Sequence, residues 1–252
     1  MQKTLVRQVR DANRRVFDSK DFDEYEENPS IFEASRQDEI ESVLHDTVAN
    51  RDRILDVGCG TGNVLRLARQ HFKECWGIDL SGNLLGELAR REKDLRLIAG
   101  EADQLPFLEN HFDMLSMYGV LHHLVDHESV FRSACRVLKP GGALYADHDP
   151  NYFFGRFYHF YYRMRYLNQP GFGTEDAEMS EWHHTRTGGL NPFVMKALLH
   201  KAGFSQVDIH FRITTNPALS LPFKVIRFLM RSFTKVYPFK SLYTHFWIVA
   251  RK

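Results

Sequence analysis

The sequence predicts an α/β fold, a largely parallel sheet with crossover helices. From Arg53 onward short apolar runs alternate with segments of helical periodicity, as strand-helix-strand units require. The first apolar run ends in Gly58-Cys59-Gly60-Thr61-Gly62, a turn that leads into a helical pattern. The composition is that of an ordinary globular chain, with 43% hydrophobic and 26% charged residues, which argues against wholesale disorder or a collagen-like chain. At 252 residues the favoured organisation is a single domain with insertions.

Residues 1–50 read as a helical cap, with Ile31, Ile40, Val43, Leu44 and Val48 near helical spacing among charged residues. The half of the sheet in 51–150 then reads in order. Arg53 to Val57 is a strand, Asn63 to His71 a helix, Cys75 to Leu80 a strand, Gly82 to Arg91 a helix and Leu95 to Ala99 a strand. Phe112 to Met117 follows as a strand, Glu128 to Val137 as a helix, Lys139-Pro140-Gly141-Gly142 as a turn and Ala143 to Asp147 as a fifth strand. Residues 151–166 hold nine aromatics in sixteen positions and open an insertion that runs to 190. In the remaining stretch, 191–252, Asn191 caps a helix with Pro192 in its first turn and Gly203 at its end. Gln206 to Ile213 and Tyr243 to Ala250 are the last strands, separated by a second insertion, 214–241.

Cys59, Cys75 and Cys135 are odd in number and widely spaced, without a CxxC pair, so no disulfide framework or zinc knuckle is expected and a reducing cytoplasm fits. The first fifteen residues lack the apolar core of a secretion signal, and no run approaches the roughly 20 apolar residues of a membrane span. The net charge of +1 conceals an asymmetry. Eight Lys or Arg and no acid lie beyond Asp208, whereas the preceding residues carry 25 basic and 32 acidic groups. Such polarity suits either an anionic partner or a basic face that complements the rest of the molecule.

Each feature of the glycine turn has a cause. Glycine permits positive φ, and its missing Cβ lets backbone lie against a ligand at a helix N-terminus. A dinucleotide fingerprint needs its third glycine at position 63, which is Asn63, so the spacing is GxGxG. With the landmarks that follow it, the chain resembles the class I S-adenosylmethionine-dependent methyltransferases. These landmarks are Leu55 to Gly62, Asp79, Leu105-Pro106-Phe107, Phe112-Asp113, Leu121-His122-His123 and Leu138 to Gly142. They occur in the family's order and span about residues 53–147.

The resemblance implies a Rossmann-like, seven-stranded methyltransferase sheet with helices on both faces and an antiparallel last strand. It implies S-adenosylmethionine as cofactor and S-adenosylhomocysteine as product. Gly58, Cys59, Gly60 and Gly62 then form the gripping turn, and Asp56 orients the methionine end. Asp79, followed by Leu80, accepts the ribose hydroxyls. Met117 and Tyr118 stand at the mouth of the fourth strand. Gly100-Glu101-Ala102-Asp103 meets adenine, with Glu101 at a position more usually Asp, which leaves Glu101 and Asp103 both open as partners of the adenine amino group. The methyl donor is already activated, so positioning of the acceptor dominates, and a base is needed only where the acceptor must lose a proton. His122, His123 and His148, at the carboxyl edge of the sheet, are the candidates, although the LHHL signature also reads as structural. Asp147-His148-Asp149 with His183-His184 are metal-ligand types, but a polar loop explains them as well and no metal is expected.

The acceptor expected is a small apolar or aromatic molecule, methylated at oxygen first, with carbon and nitrogen open. The aromatic run, with Arg156, Arg163 and Arg165, reads equally as a lid over the site or as a homodimer interface. In 221–237 Lys224, Arg227, Arg231 and Lys235 form a basic stripe on an apolar helix, which packs on its own domain or makes peripheral membrane contact. A membrane-peripheral enzyme of quinone precursors or lipids is the rival reading, and a noncatalytic S-adenosylmethionine-binding protein with an aromatic partner interface the rival of another class. Nucleic acid is not an expected partner, since no RNA-binding module and no base-methylating motif after the fourth strand is present.

Overall fold

A computed structural model describes residues 2–27, 36–155, 174–212 and 243–252. Its strands are β1 (Arg53–Val57), β2 (Glu74–Asp79), β3 (Arg96–Ala99), β4 (Phe112–Tyr118), β5 (Leu138–Pro150), β6 (Gln206–Arg212) and β7 (His245–Arg251). Its α-helices are α1 (Gln2–Asp18), α2 (Phe22–Glu27), α3 (Gln37–Asp46), α4 (Asn63–Ala68), α5 (Gly82–Arg91), α6 (His127–Val137), α7 (Glu175–Ser180) and α8 (Pro192–Ala202). The strands form one seven-stranded sheet in the order β3-β2-β1-β4-β5-β7-β6, with β7 antiparallel to both neighbours. This is the Rossmann-like sheet that the sequence implies.

Both faces of the sheet are buried, and strand parity decides which residue faces which layer. Leu55, Val57, Leu115, Met117, Leu144, Ala146, Ile248 and Ala250 share one core with Val130, Phe131 and Ala134 of α6 and Met195 and Leu199 of α8. Ile54, Met114, Ala143, Tyr145 and Val249 share the other with Ile40 and Leu44 of α3, Val64 and Leu65 of α4 and Leu84 and Leu88 of α5. Phe112 breaks parity by joining the first core, because the register of β4 on β5 shifts between Phe112 and Met114. Asp113, beside that shift, accepts hydrogen bonds from the Arg53 N–H (2.8 Å) and from Lys139 Nζ (2.7 Å), which ties β4 to both neighbours.

Several elements depart from the sequence expectation. The helix expected over Asn63 to His71 ends at Ala68, where the N–H groups of Gln70 and His71 turn to the carbonyls of Leu67 and Ala68 in a tightened last turn. The turn Lys139 to Gly142 lies within β5, since Leu138 pairs with Phe112 and Gly142 accepts from the Lys252 N–H at 2.9 Å. The Leu121-His122-His123 segment is a single 3-10 turn. Asn191 and Gly203 bound α8 as expected: the Asn191 side chain accepts from the Phe193 N–H at 3.0 Å, and Gly203 has φ of 110°. Such a cap contributes about 1 kcal/mol. Ile31, the aromatic run beyond Gly155, its arginines Arg156, Arg163 and Arg165, and the whole insertion 214–241 lie outside the described residues.

The cap is locked to the sheet by a buried carboxylate. Asp147, fully buried on β5, pairs with Arg36 ahead of α3 and with Arg212 Nη1 on β6 at 3.1 Å, and it accepts from the Tyr145 hydroxyl. Arg212 also reaches Glu39 of α3 at 2.6 Å. This occupies the first of the carboxylates that the sequence offered as metal-ligand types.

Two glycines test the packing. A Cβ on Gly77 of β2 would stand 2.8 Å from Cys59 Sγ and Leu97 Cδ2 and 2.9 Å from Leu65 Cδ1, whereas a Cβ on Gly86 of α5 meets nothing within 4 Å. Gly77→Ala is therefore expected to destabilise by about 1–3 kcal/mol through overpacking, and Gly86→Ala to stabilise by about 0.5–1 kcal/mol through helix entropy. At about 2–4 °C per kcal/mol for a chain of this size, thermal melts should move in opposite directions. Shifts of the same sign would refute the packing described.

Candidate active site

The turn after β1 bends back over the end of the strand through three left-handed glycines, Gly58, Gly60 and Gly62, with φ of 73°, 48° and 85°. The Gly58 N–H donates to the Ile78 carbonyl at 2.7 Å, and the Gly60 N–H donates to Asp79 Oδ2 at 2.8 Å. Asp79 Oδ1 accepts from the Ser81 N–H at 2.8 Å, and Ser81 caps α5. A Cβ on Gly58 would come within 2.5 Å of Val120, so the turn tolerates no side chain there. Burial raises the Asp79 carboxyl above its usual range, opposed by the N–H groups of Ser81, Gly60 and Leu80.

Around this turn lies a pocket of about 1000 Å³ counted to its open mouth, at the carboxyl ends of β1 to β4. It sits where the strand order reverses between β1 and β4, the usual ligand crevice of open α/β sheets. The roof is α1, whose Val6, Val9, Arg10, Asn13 and Phe17 face it, together with Tyr25. Arg10 bridges Glu101 Oε2 at 2.6 Å and Asp103 Oδ2 at 2.7 Å. Asn13 donates to the Val9 and His123 carbonyls, and its Oδ1 is buried with no hydrogen-bond partner. Four carboxylates, Asp79, Glu101, Asp103 and Asp126, stand in the wall against one guanidinium, so the pocket favours a cation.

Of the residues that the resemblance points to, Gly58, Gly60, Asp79, Leu80, Glu101, Ala102, Asp103, Tyr118 and His123 line this pocket. Asp56, Cys59, Gly62 and Met117 do not, and each has a physical reason. Asp56 points to the α3 and α4 side, where Ser116 Oγ donates to it at 2.6 Å, and burial, opposed by that bond, pushes its carboxyl up to about 7. Cys59 packs its sulfur into the second core, where burial pushes the thiol well up. Gly62 caps α4 against Leu88. Met117 and Tyr118 are successive strand residues, so only one can face the mouth, and Met117 faces the core.

The histidines gather beside the pocket. His123 Nδ1 lies 2.8 Å from the Ser180 carbonyl, so it carries the proton and donates, and its ring packs edge-on to Phe17. The His122 ring, 4.0 Å from that of His123, lies behind the wall, with Nδ1 2.9 Å from Asp149 Oδ1. Burial holds His122 well below the usual imidazole range and Asp149 well above the carboxylate range. His148 is left-handed (φ 64°) at the register shift of β5 on β7 and stacks between Tyr118 and His245, so it too lies off the pocket wall. His183 and His184 belong to a π-helical turn, His183–Thr187.

A family model described as a methyltransferase domain matches residues 55–146. A demethylmenaquinone methyltransferase of Staphylococcus saprophyticus is 31% identical over 175 residues, covering 64% of this chain and 74% of that protein. The chain belongs to the class I S-adenosylmethionine-dependent methyltransferases. A fatty-acid O-methyltransferase of Mycolicibacterium smegmatis is 31% identical over 142 residues, 51% of this methyltransferase and 52% of that protein. In fold, a crystal structure of a methyltransferase from Archaeoglobus fulgidus superposes with a TM-score of 0.58 at 17% identity, covering 91% of this chain and 96% of that one. The methyltransferase uses S-adenosylmethionine, and the pocket fits it: an acidic wall for the sulfonium, a glycine turn that a Cβ would obstruct and an orphaned acceptor on Asn13.

The sequence expects the helical N-terminus to roof the cofactor, but it does not single out the residues that do so. Arg10, Asn13 and Phe17 come from α1, whose signal was the recurrence of Val6, Val9, Ala12 and Val16 at helical spacing. Removal of the Asp79 carboxylate is expected to weaken S-adenosylhomocysteine binding about 10- to 100-fold, the loss of one or two charge-assisted hydrogen bonds. Titration calorimetry of Asp79→Ala checks this, and an unchanged Kd would remove Asp79 from the site.

Proposed function

We propose that this methyltransferase acts on a small apolar ring bearing a hydroxyl group, of the reduced-quinone class. The observation that carries the reading is the placement of His123. Its Nδ1–H is held by Ser180, which leaves Nε2 as the basic nitrogen, and the ring lines the pocket beside Val120, Leu124, Val125 and Val130. The similarity to demethylmenaquinone methyltransferases supports the acceptor class.

The bound cofactor supplies a methyl carbon made electrophilic by its sulfonium. The chain's own residues bind and orient. On this reading Asp79 accepts the ribose hydroxyls and the segment Gly100 to Asp103 meets adenine. Arg10 shares Glu101 and Asp103 with the adenine amino group. Asp56, Cys59, Gly62 and Met117 hold the turn and strand ends from behind, while Tyr118 flanks the mouth. His123 takes the hydroxyl proton at Nε2. The resulting charge is delocalised over the oxygen and the adjacent ring carbon, so one deprotonation prepares either atom for in-line attack. His122 and His148 act through their neighbours as positioning residues. Cap, sheet and insertions work on this reading as one domain, and the basic segment 221–237 offers a contact for the lipid phase where such acceptors reside. Among the described residues no helix is long and apolar enough to cross a membrane.

The fatty-acid relative favours a second reading, a carboxylate acceptor. The two differ in chemistry, because a carboxylate is already ionised and needs no base. A screen of reduced quinone precursors and fatty acids, read by mass spectrometry for the gain of one methyl, should give product with the ring acceptors, and product only with fatty acids would overturn the proposal. His123→Gln should lower kcat for a ring acceptor about 10²- to 10⁴-fold while leaving S-adenosylhomocysteine affinity unchanged. Retention of full kcat in that variant would exclude His123 as the base.

A further inference from the structure

We propose that His122, Glu181 and His184 form a binding site for one divalent transition-metal ion of the zinc class, beside the donor pocket and separate from it. One ligand atom from each residue lies within 4.8 Å of the others. Zinc bonds of about 2.0–2.2 Å would draw these atoms together by shifts of under about 1 Å per side chain. Two imidazoles and one carboxylate are a donor set that zinc and its neighbours accept, and the thiols of Cys59, Cys75 and Cys135 do not belong to the group.

The surroundings orient the ligands as metal sites do. Asp149, 1% exposed, accepts from the backbone N–H of His122 at 3.0 Å and faces its Nδ1 at 2.9 Å, which points Nε2 away from the carboxylate as the ligand atom. A carboxylate behind a ligating imidazole settles the tautomer and the ring plane. Glu181 and His184 are three residues apart where the chain enters a π-helical turn, a local irregularity found often at functional sites. His184 Nε2 stands 3.8 Å from Glu181 Oε2, and its ring meets that of His122 edge-on with centroids 5.0 Å apart. None of the three lines the donor pocket. His184 instead borders a second, small cavity of about 230 Å³ counted to its open mouth, next to Pro150, Asn151, Gly155 and Thr244, on a side away from the donor pocket. Three protein ligands leave the fourth tetrahedral position open, the arrangement of a Lewis-acid site. The sequence had paired His183 and His184 with Asp147 to Asp149. In the structure Asp147 is taken by arginines and His183 Nε2 by the Leu124 carbonyl at 2.8 Å, and His122 and Glu181 take their places.

The test uses tag-free full-length protein, stripped with EDTA, dialysed and titrated with Zn²⁺ alone, with the metal retained after desalting measured by mass spectrometry. Co²⁺ serves as a second probe, read by its visible absorption. The expected result is one equivalent of zinc per chain and a tetrahedral cobalt spectrum. Glu181→Gln and His184→Ala should each weaken zinc binding by at least about 10-fold, and Asp149→Asn by about 10- to 100-fold. His45→Ala, at an exposed imidazole paired with Asp46, should change nothing. S-adenosylhomocysteine binding by each variant separates loss of metal from loss of fold. Glu181, whose side chain is 27% exposed, tolerates Gln without stranding a buried charge. Retention of no zinc by the wild-type protein, or equal zinc affinity in the Glu181 and His184 variants, would overturn the proposal.

Discussion

The structure depends on a clip between β1 and β2. The Gly58 N–H is held by the Ile78 carbonyl and the Gly60 N–H by the Asp79 carboxylate, so the turn after β1 is fastened to the end of the neighbouring strand. The positive φ of the three glycines follows from this fastening, since the chain must reverse within five residues while the N–H groups of Gly58, Cys59 and Gly60 all point at β2. Asp79 thereby does two things at once. It satisfies buried backbone donors, and it stands in the pocket wall at the place proposed for the ribose. Burial raises its carboxyl, and the same N–H groups that it anchors favour its charged form.

A second anchor secures the cap. Asp147 is a fully buried anion between Arg36 and Arg212, so the residue ahead of α3 and the last residue of β6 are tied to one carboxylate on β5. Breaking a buried pair of this kind typically costs about 3–5 kcal/mol, because a charge is left without a partner. The roof of the pocket has its own ties. Ser81 Oγ donates to Asp18 at the end of α1 at 2.8 Å, and Arg10 reaches the loop after β3. α1 thus meets the pocket from above with polar contacts from its middle, through Arg10, and from its last residue, Asp18, and with apolar ones from Val6, Val9 and Phe17.

How much of this was legible in the sequence follows the range of the interactions. Local patterns sufficed for β1 and α5, whose bounds match the expectation, and for the cap of α8 by Asn191 and its termination at Gly203. The glycine spacing located the pocket. Strand parity assigns one of Met117 and Tyr118 to the core and the other to the mouth, and the same parity turns Asp56 toward Ser116. The contacts of Arg10 with Glu101 and Asp103 span about ninety residues and carry no local periodicity, so only the folded chain brings them together. The meeting of His122 with Glu181 and His184 is of the same kind. It needs both the 3-10 turn after β4 and the π-helical turn after α7, and neither irregularity has a sequence signal as plain as a glycine or a proline.

The two sides of the site differ in charge, and the difference bears on turnover. Toward the donor the wall presents Asp79, Glu101, Asp103 and Asp126, partly offset by Arg10 and by Arg14, which stands 3.8 Å from Glu101. On the side proposed for the acceptor stand His123 and, behind it, imidazoles that burial pushes down, His122, His183 to about 3 and His184. An acidic wall attracts the sulfonium of the donor more than the neutral sulfide that remains once the methyl has left, so the same electrostatics that favour binding weaken with product formation. On the proposed function, selection between donor and product rests on the carboxylates of β2, the loop after β3 and the turn before α6, while selection among acceptors rests on the apolar wall and the histidine beside it.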